Sequence, residues 1–78
     1  MLGNSIVDYL NGRGELEQTP YQLCLIKKDL EETFPEASFG YSFRNRRFRI
    51  ICYTNSYNIW IDILGGRAKL LSYEEVSV

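Results

Sequence analysis

The sequence predicts an α+β fold: two N-terminal helices packed on one face of a four-stranded antiparallel β-meander. Three observations lead there. Residues 38–73 fall into four short segments separated by Asn45-Arg46, Asn55-Ser56 and Gly65-Gly66. Strand registers fixed separately at each of these turns agree on one apolar face. The residues before them hold a capped helical stripe suited to cover that face.

The first helix is expected over about 4–11. Asn4 or Ser5 can cap it, Ile6, Val7 and Leu10 give a stripe, and Asn11-Gly12 suits its end. Gly12-Arg13-Gly14 is a connection that lacks the glycine spacing and the Lys-Ser/Thr of a phosphate loop. The second helix is expected over about 20–34. Thr19 is a natural N-cap, Pro20 takes the first helical position, and Gln22 offers a capping box. Leu23, Ile26, Leu30 and Phe34 then recur at spacings of three and four, and Pro35 disfavours helix before it. Tyr21 and Leu25 point off this stripe, where the first helix is expected to cover them.

Strands are expected over about 38–44, 47–54, 57–64 and 67–73. Asn and Gly tolerate the positive φ of tight hairpin turns, so each turn is read as a two-residue loop. The first hairpin then pairs Phe43 with Phe48 and Tyr41 with Ile50, the second Ile50 with Ile61 and Ile51 with Trp60. The third pairs Ile61 with Leu70 and Trp60 with Leu71. One face becomes Phe39, Tyr41, Phe43, Phe48, Ile50, Cys52, Ile59, Ile61, Ile63, Ala68 and Leu70, with no charge among them. Side chains alternate with period two, so a one-residue slip would bring charges into that face.

The 78 residues read as a single domain, residues 1–78. A chain of this size buries roughly 60% of its unfolded surface, so its own stability is modest. Net charge is −1 but unevenly spread. Up to residue 36, Arg13, Lys27 and Lys28 stand against seven carboxylates; over 37–73 five arginines and Lys69 stand against Asp62 alone. The helices are acidic and the sheet is basic. No apolar run approaches the roughly 20 residues of a membrane helix. No leader is visible, and Cys24 and Cys52 do not make a disulfide framework, so a cytoplasmic chain without a membrane partner is expected.

Catalytic chemistry is sparse. With no histidine, the commonest general base and metal ligand are missing. Two scattered cysteines do not supply a zinc site, and Asp29, Glu31 and Glu32 read as the solvated side of a helix. No enzyme, cofactor or metal is expected. The outer sheet face says more. Trp60, Tyr53, Tyr73, Ile51 and Leu71 form an expected apolar and aromatic strip beside Arg49 and Arg47, with Asp62 and Lys69 completing a charged row. Gly40 is expected to leave room for the Trp60 ring. Trp, Tyr and Arg often dominate interface energetics, so the face is read as a contact for a protein partner or for a second copy, as in a homodimer. The alternative is single-stranded nucleic acid, stacked on Trp60, Tyr53 and Tyr73 and steered by Arg44, Arg46, Arg47, Arg49 and Lys69. Asp62 within the face and an overall pI near 5.3 weigh against it.

Overall fold

A computed structural model describes residues 2–45 and 47–76. Helix α1 spans Leu2–Asn11 and α2 spans Pro20–Thr33. Strands β1 (Ser38–Arg44), β2 (Arg47–Tyr53), β3 (Tyr57–Leu64) and β4 (Arg67–Glu75) follow. They form one antiparallel sheet in the order β1-β2-β3-β4, the predicted meander. α1 lies against β4 and β3, and α2 against β1 and β2.

α1 begins earlier than the sequence suggested. Asn4 and Ser5 therefore lie inside its first turns rather than capping it. Its buried stripe is Gly3, Ile6 and Leu10, and Val7 is only half-buried. α2 starts as predicted: Thr19 is extended, its hydroxyl accepts a hydrogen bond from the Gln22 amide at 3.1 Å, and Pro20 follows. Among the described residues no Gln22 side-chain bond completes the capping box. Leu23, Ile26 and Leu30 are buried beneath α2.

The two helices are joined through Asp29. Its carboxylate accepts from the Tyr9 hydroxyl at 2.9 and 3.0 Å and pairs with Arg13. The Thr33 hydroxyl donates to the Tyr9 oxygen, and the Tyr9 ring meets Phe34 edge to face. α1 thus docks on the Asp29–Thr33 flank of α2. This leaves Tyr21 and Leu25 exposed, contrary to the expectation that α1 would cover them.

The β1–β2 and β2–β3 registers match the predicted ones residue for residue, including Phe43↔Phe48, Tyr41↔Ile50, Ile50↔Ile61 and Ile51↔Trp60. Of the first turn, Asn45 has the expected positive φ of 54°, while Arg46 lies outside the described residues. Gly65 and Gly66 have φ of 61° and 79°, the left-handed pair that a tight β3–β4 hairpin needs. The middle turn works differently. Asn55 and Ser56 have no positive φ; the Thr54 hydroxyl instead accepts from the amides of Ser56 (3.2 Å) and Tyr57 (2.8 Å). A short polar side chain mimics a backbone turn there, and β2 stops at Tyr53 rather than at residue 54.

The last hairpin departs from the predicted pairing halfway along. Ile63↔Ala68, Asp62↔Lys69 and Ile61↔Leu70 hold, but Trp60 faces Ser72, Ile59 faces Tyr73 and Asn58 faces Glu74. Leu71 is the extra residue of a β-bulge, not the partner of Trp60. Every residue of β4 beyond it changes face relative to the expectation. β4 also runs two residues further than expected, to Glu75.

The core between helices and sheet gathers Ile6, Leu10, Leu16, Leu23, Ile26 and Leu30 over Phe39, Phe48, Ile50, Cys52, Ile59, Ile61, Ile63 and Ala68. Tyr41 and Phe43 belong to this face by register, yet they lie outside the helical cover and are 42% and 52% exposed.

One contact ties the first element to the last. The Asn11 side chain donates to the Ala68 carbonyl at 2.9 Å and accepts from the Ala68 amide at 2.8 Å. β4 is an edge strand, so these backbone groups would otherwise rely on water. Replacing Asn11 by Ala removes both bonds, and a loss of about 1–3 kcal/mol is expected. In a chain of this size each kcal/mol lowers Tm by about 4–8 °C. A thermal melt of Asn11→Ala checks this; an unchanged midpoint shows that the contact contributes nothing.

Candidate binding face

The pleat sends two sets of side chains away from the helices. Nearest the β1–β2 turn these are Ser42 and Arg44 on β1, Arg47 and Arg49 on β2, Asp62 and Leu64 on β3, and Arg67 and Lys69 on β4. Toward the other end the face holds Ser38, Gly40, Ile51, Tyr53, Asn58, Trp60, Ser72 and Glu74, the last opposite Asn58. One half is basic; the other sets Trp60, Tyr53 and Ile51 among polar residues and one carboxylate. Asp62 is the only carboxylate in the basic half among the described residues.

A cleft of about 790 Å³ opens where the halves meet. Ser42, Phe43, Arg44, Asn45, Arg47, Arg49 and Trp60 line it. Arg49 Nε lies 3.7 Å from Asp62 Oδ1, too long for a hydrogen bond, and this nitrogen is buried without an acceptor. The expected Arg49–Asp62–Lys69 row is therefore present in register, with Arg49 and Asp62 as its one ion pair among the described residues.

The predicted contact residues are not all brought together. Trp60, Arg47, Arg49 and Ile51 share the outer face, as expected. Ile51, between Gly40 and Trp60 in register, is only 8% exposed and lies outside the core under the helices. It is a floor beneath the face rather than a free contact. Tyr53 also faces outward, but it occupies the space that Gly40 was expected to leave for Trp60. A Cβ on Gly40 would meet Tyr53 Cε2 at 3.4 Å. An aromatic ring laid over a strand glycine protects the backbone there.

Tyr73 is a correction. The bulge puts it opposite Ile59, on the helix side of the sheet, where its ring packs edge to face with Tyr57 at 5.7 Å. Leu71 is exposed but sits at the bulge without a cross-strand partner. The continuous five-residue strip is thus reduced to Trp60 and Tyr53 over Ile51. A sequence signal for this existed: strict alternation through Lys69-Leu70-Leu71-Ser72-Tyr73 puts Leu71 outward and Ser72 inward, the wrong polarity for both positions.

Arg44, expected only as a nucleic-acid contact, and Ser42 line the cleft with Arg47 and Trp60. One feature escaped the sequence reading. A second cleft of about 540 Å³ lies on the helix side among Leu2, Glu36, Thr54, Tyr57, Ile59 and Tyr73. It depends on the bulge that turns Tyr73 inward.

Among the described residues no group of three or more His, Cys, Asp or Glu is placed to hold a metal ion. No helix is long and apolar enough to cross a membrane. Cys52, fully buried, has its thiol pushed up to about 11, first by burial and then by the nearby Glu36 carboxylate. At pH 8 only about a thousandth of such a thiol is thiolate, the form that reacts. Iodoacetamide at pH 8 is therefore expected to label the folded chain at Cys24 and to reach Cys52 only after denaturation. Mass spectrometry of the labelled peptides checks this. The raised value also has a sign. Between pH 9 and about 11 the folded chain holds a proton that the unfolded chain has lost, so stability falls as pH rises through that window.

The chain matches no protein-family model, no curated protein and no solved structure.

Proposed function

We propose that the chain is a non-enzymatic interaction module whose open sheet face takes an acidic surface of another protein. The observation that carries this reading is the cleft lined by Arg44, Arg47 and Arg49 at one end and Trp60 at the other. An aromatic anchor and a set of guanidinium groups in one cleft are the residue types of a contact hot spot, and the guanidinium forks suit carboxylates. The Nε of Arg49 is buried beside Asp62 and is closed to a partner, so Arg49 contributes through the 30% of its side chain that stays exposed. A partner carboxylate there would add to the partial balance that Asp62 gives its charge. An intracellular setting accords with this reading, since both cysteines are free thiols.

The charge on the face argues against two copies meeting sheet to sheet. A two-fold contact is self-complementary, and it would bring arginine clusters toward one another. Single-stranded nucleic acid is the second reading, and the same cleft favours it by joining cations to a stacking ring. It loses ground because one of its three expected platforms, Tyr73, lies on the helix side, and because Asp62 and Glu74 stand on the face.

Trp60 is the only tryptophan, so its fluorescence reports on this face alone. Titration with a Glu-rich peptide is expected to shift its emission, and the Arg44→Glu, Arg47→Glu double variant to weaken binding at least tenfold. A mixed-sequence single-stranded oligonucleotide is the control. If the oligonucleotide binds instead, with an affinity that falls steeply with salt, the nucleic-acid reading replaces this one. If neither ligand moves the emission at millimolar concentration, the face is not an acidic-partner site.

A further inference from the structure

The two edges of the sheet are treated differently. At β4, Asn11 bonds both backbone groups of Ala68, and the Leu16 amide donates to the Gly66 carbonyl at 2.8 Å. Beyond these, the bulge at Leu71 twists the strand and two glutamates follow at its end. Such devices keep an edge from pairing with another chain.

β1 has none of them. It runs seven residues in unbroken register with β2, without Pro, Lys or a bulge, and its one charge, Arg44, lies at its end. In an antiparallel ladder alternate residues turn their N–H and C=O toward the neighbouring strand and the rest turn them outward. Among the described residues no helix or loop group bonds to the outward set on β1. Tyr41 and Phe43, which face the helix side, stay about half exposed beside this edge.

We infer that β1 is a pairing edge and that its occupant is β1 of a second copy, antiparallel, about a two-fold axis through Tyr41. That register uses all seven residues and keeps each copy's helices on the same side of one eight-stranded sheet. Tyr41 then faces Tyr41, Phe43 faces Phe39 of the other copy, Ser42 faces Gly40, and Arg44 faces Ser38. Aromatic residues meet aromatic residues, and no like charges are opposed. The two Arg44 side chains stand at opposite ends of the joined strands, roughly 20 Å apart at 3.4 Å per residue. This exceeds the screening length of about 8 Å at physiological salt.

The neighbouring helix also suits a copy of itself. α1 docks on the Asp29 flank of α2, so the opposite flank overlooks β1 and carries Lys27 and Glu31. These two pair at 3.1 Å and present no net charge to an identical flank. A foreign extended peptide could use the same backbone groups, but it would need aromatic residues at alternate positions to cover Tyr41 and Phe43, which β1 itself supplies.

The test is sedimentation equilibrium of the full chain from micromolar to millimolar concentration, with amide exchange on the same samples. The expected mass at high concentration is twice 9.1 kDa. Tyr41→Lys with Phe43→Lys places two charges on exposed positions of the edge and is expected to give a monomer with unchanged circular dichroism. Arg47→Glu, on the outer face, is expected to leave the mass unaltered. Alternate β1 amides should exchange at least a hundredfold faster in the lysine variant than in the wild type. A wild-type chain that stays monomeric at millimolar concentration overturns the proposal. So does a dimer that survives the two lysines. Should the lysine variant not fold, the wild type decides alone: rapid exchange at the outward amides of β1 rules the pairing out.

Discussion

Ile50 and Ile61 face each other on the two central strands, and neither has any exposed surface. Keeping that pair dry fixes the register of the whole sheet. Full burial of an aliphatic side chain contributes about 1.5–3 kcal/mol, whereas net stability of a small domain is only about 5–15 kcal/mol. A slip of one residue would turn Arg49 or Asp62, the adjacent pair, into the apolar core. Burying charge there costs far more than the chain can spare. The same constraint that seals the core therefore decides that Arg44, Arg47, Arg49 and Trp60 emerge together on the other side.

What was legible followed from this constraint. Along β1, β2 and β3 every second residue on one face is uncharged and apolar, so each register could be derived from a turn and checked against the next strand. The Thr19-Pro20 start of α2 was legible because capping is local chemistry. Features that depend on contacts distant in sequence were not. The bulge at Leu71 was half-legible: the polarity of Leu71 and Ser72 marks a break in alternation, but Leu70 and Leu71 are equally apolar, so what lies opposite decides which of them is the extra residue. The Thr54 hydroxyl replaced the positive φ expected of Asn55 because a side-chain acceptor serves the same amides. The place of Tyr53 over Gly40 needed the twist of the sheet, which sequence periodicity does not contain.

The candidate face was legible in its charges and half-legible in its aromatics. Arg47, Arg49 and Trp60 lie before the bulge and kept their predicted side. Tyr73 lies after it and did not. One inserted residue thus removed a stacking ring from the basic face and gave it to a separate cleft beside Leu2 and Glu36. That exchange changes the chemistry of the face: it loses one ring and gains the Glu74 carboxylate at its far end, while the basic half keeps its cations.

The edge and the face bear on each other through symmetry. Pairing about an axis through Tyr41 puts that axis perpendicular to the sheet. Both basic clefts then open on the same side, and both sets of acidic helices lie on the other. A partner with two acidic segments would meet two Trp60 sites at once, the second at a high effective concentration. Each site alone can then be weak. The small core of a 78-residue chain would gain as well, because Tyr41 and Phe43 would lose the water that covers about half of each. A two-fold β1 pairing would consume that edge in both copies, and with β4 guarded no second edge would be left to carry the assembly past two copies.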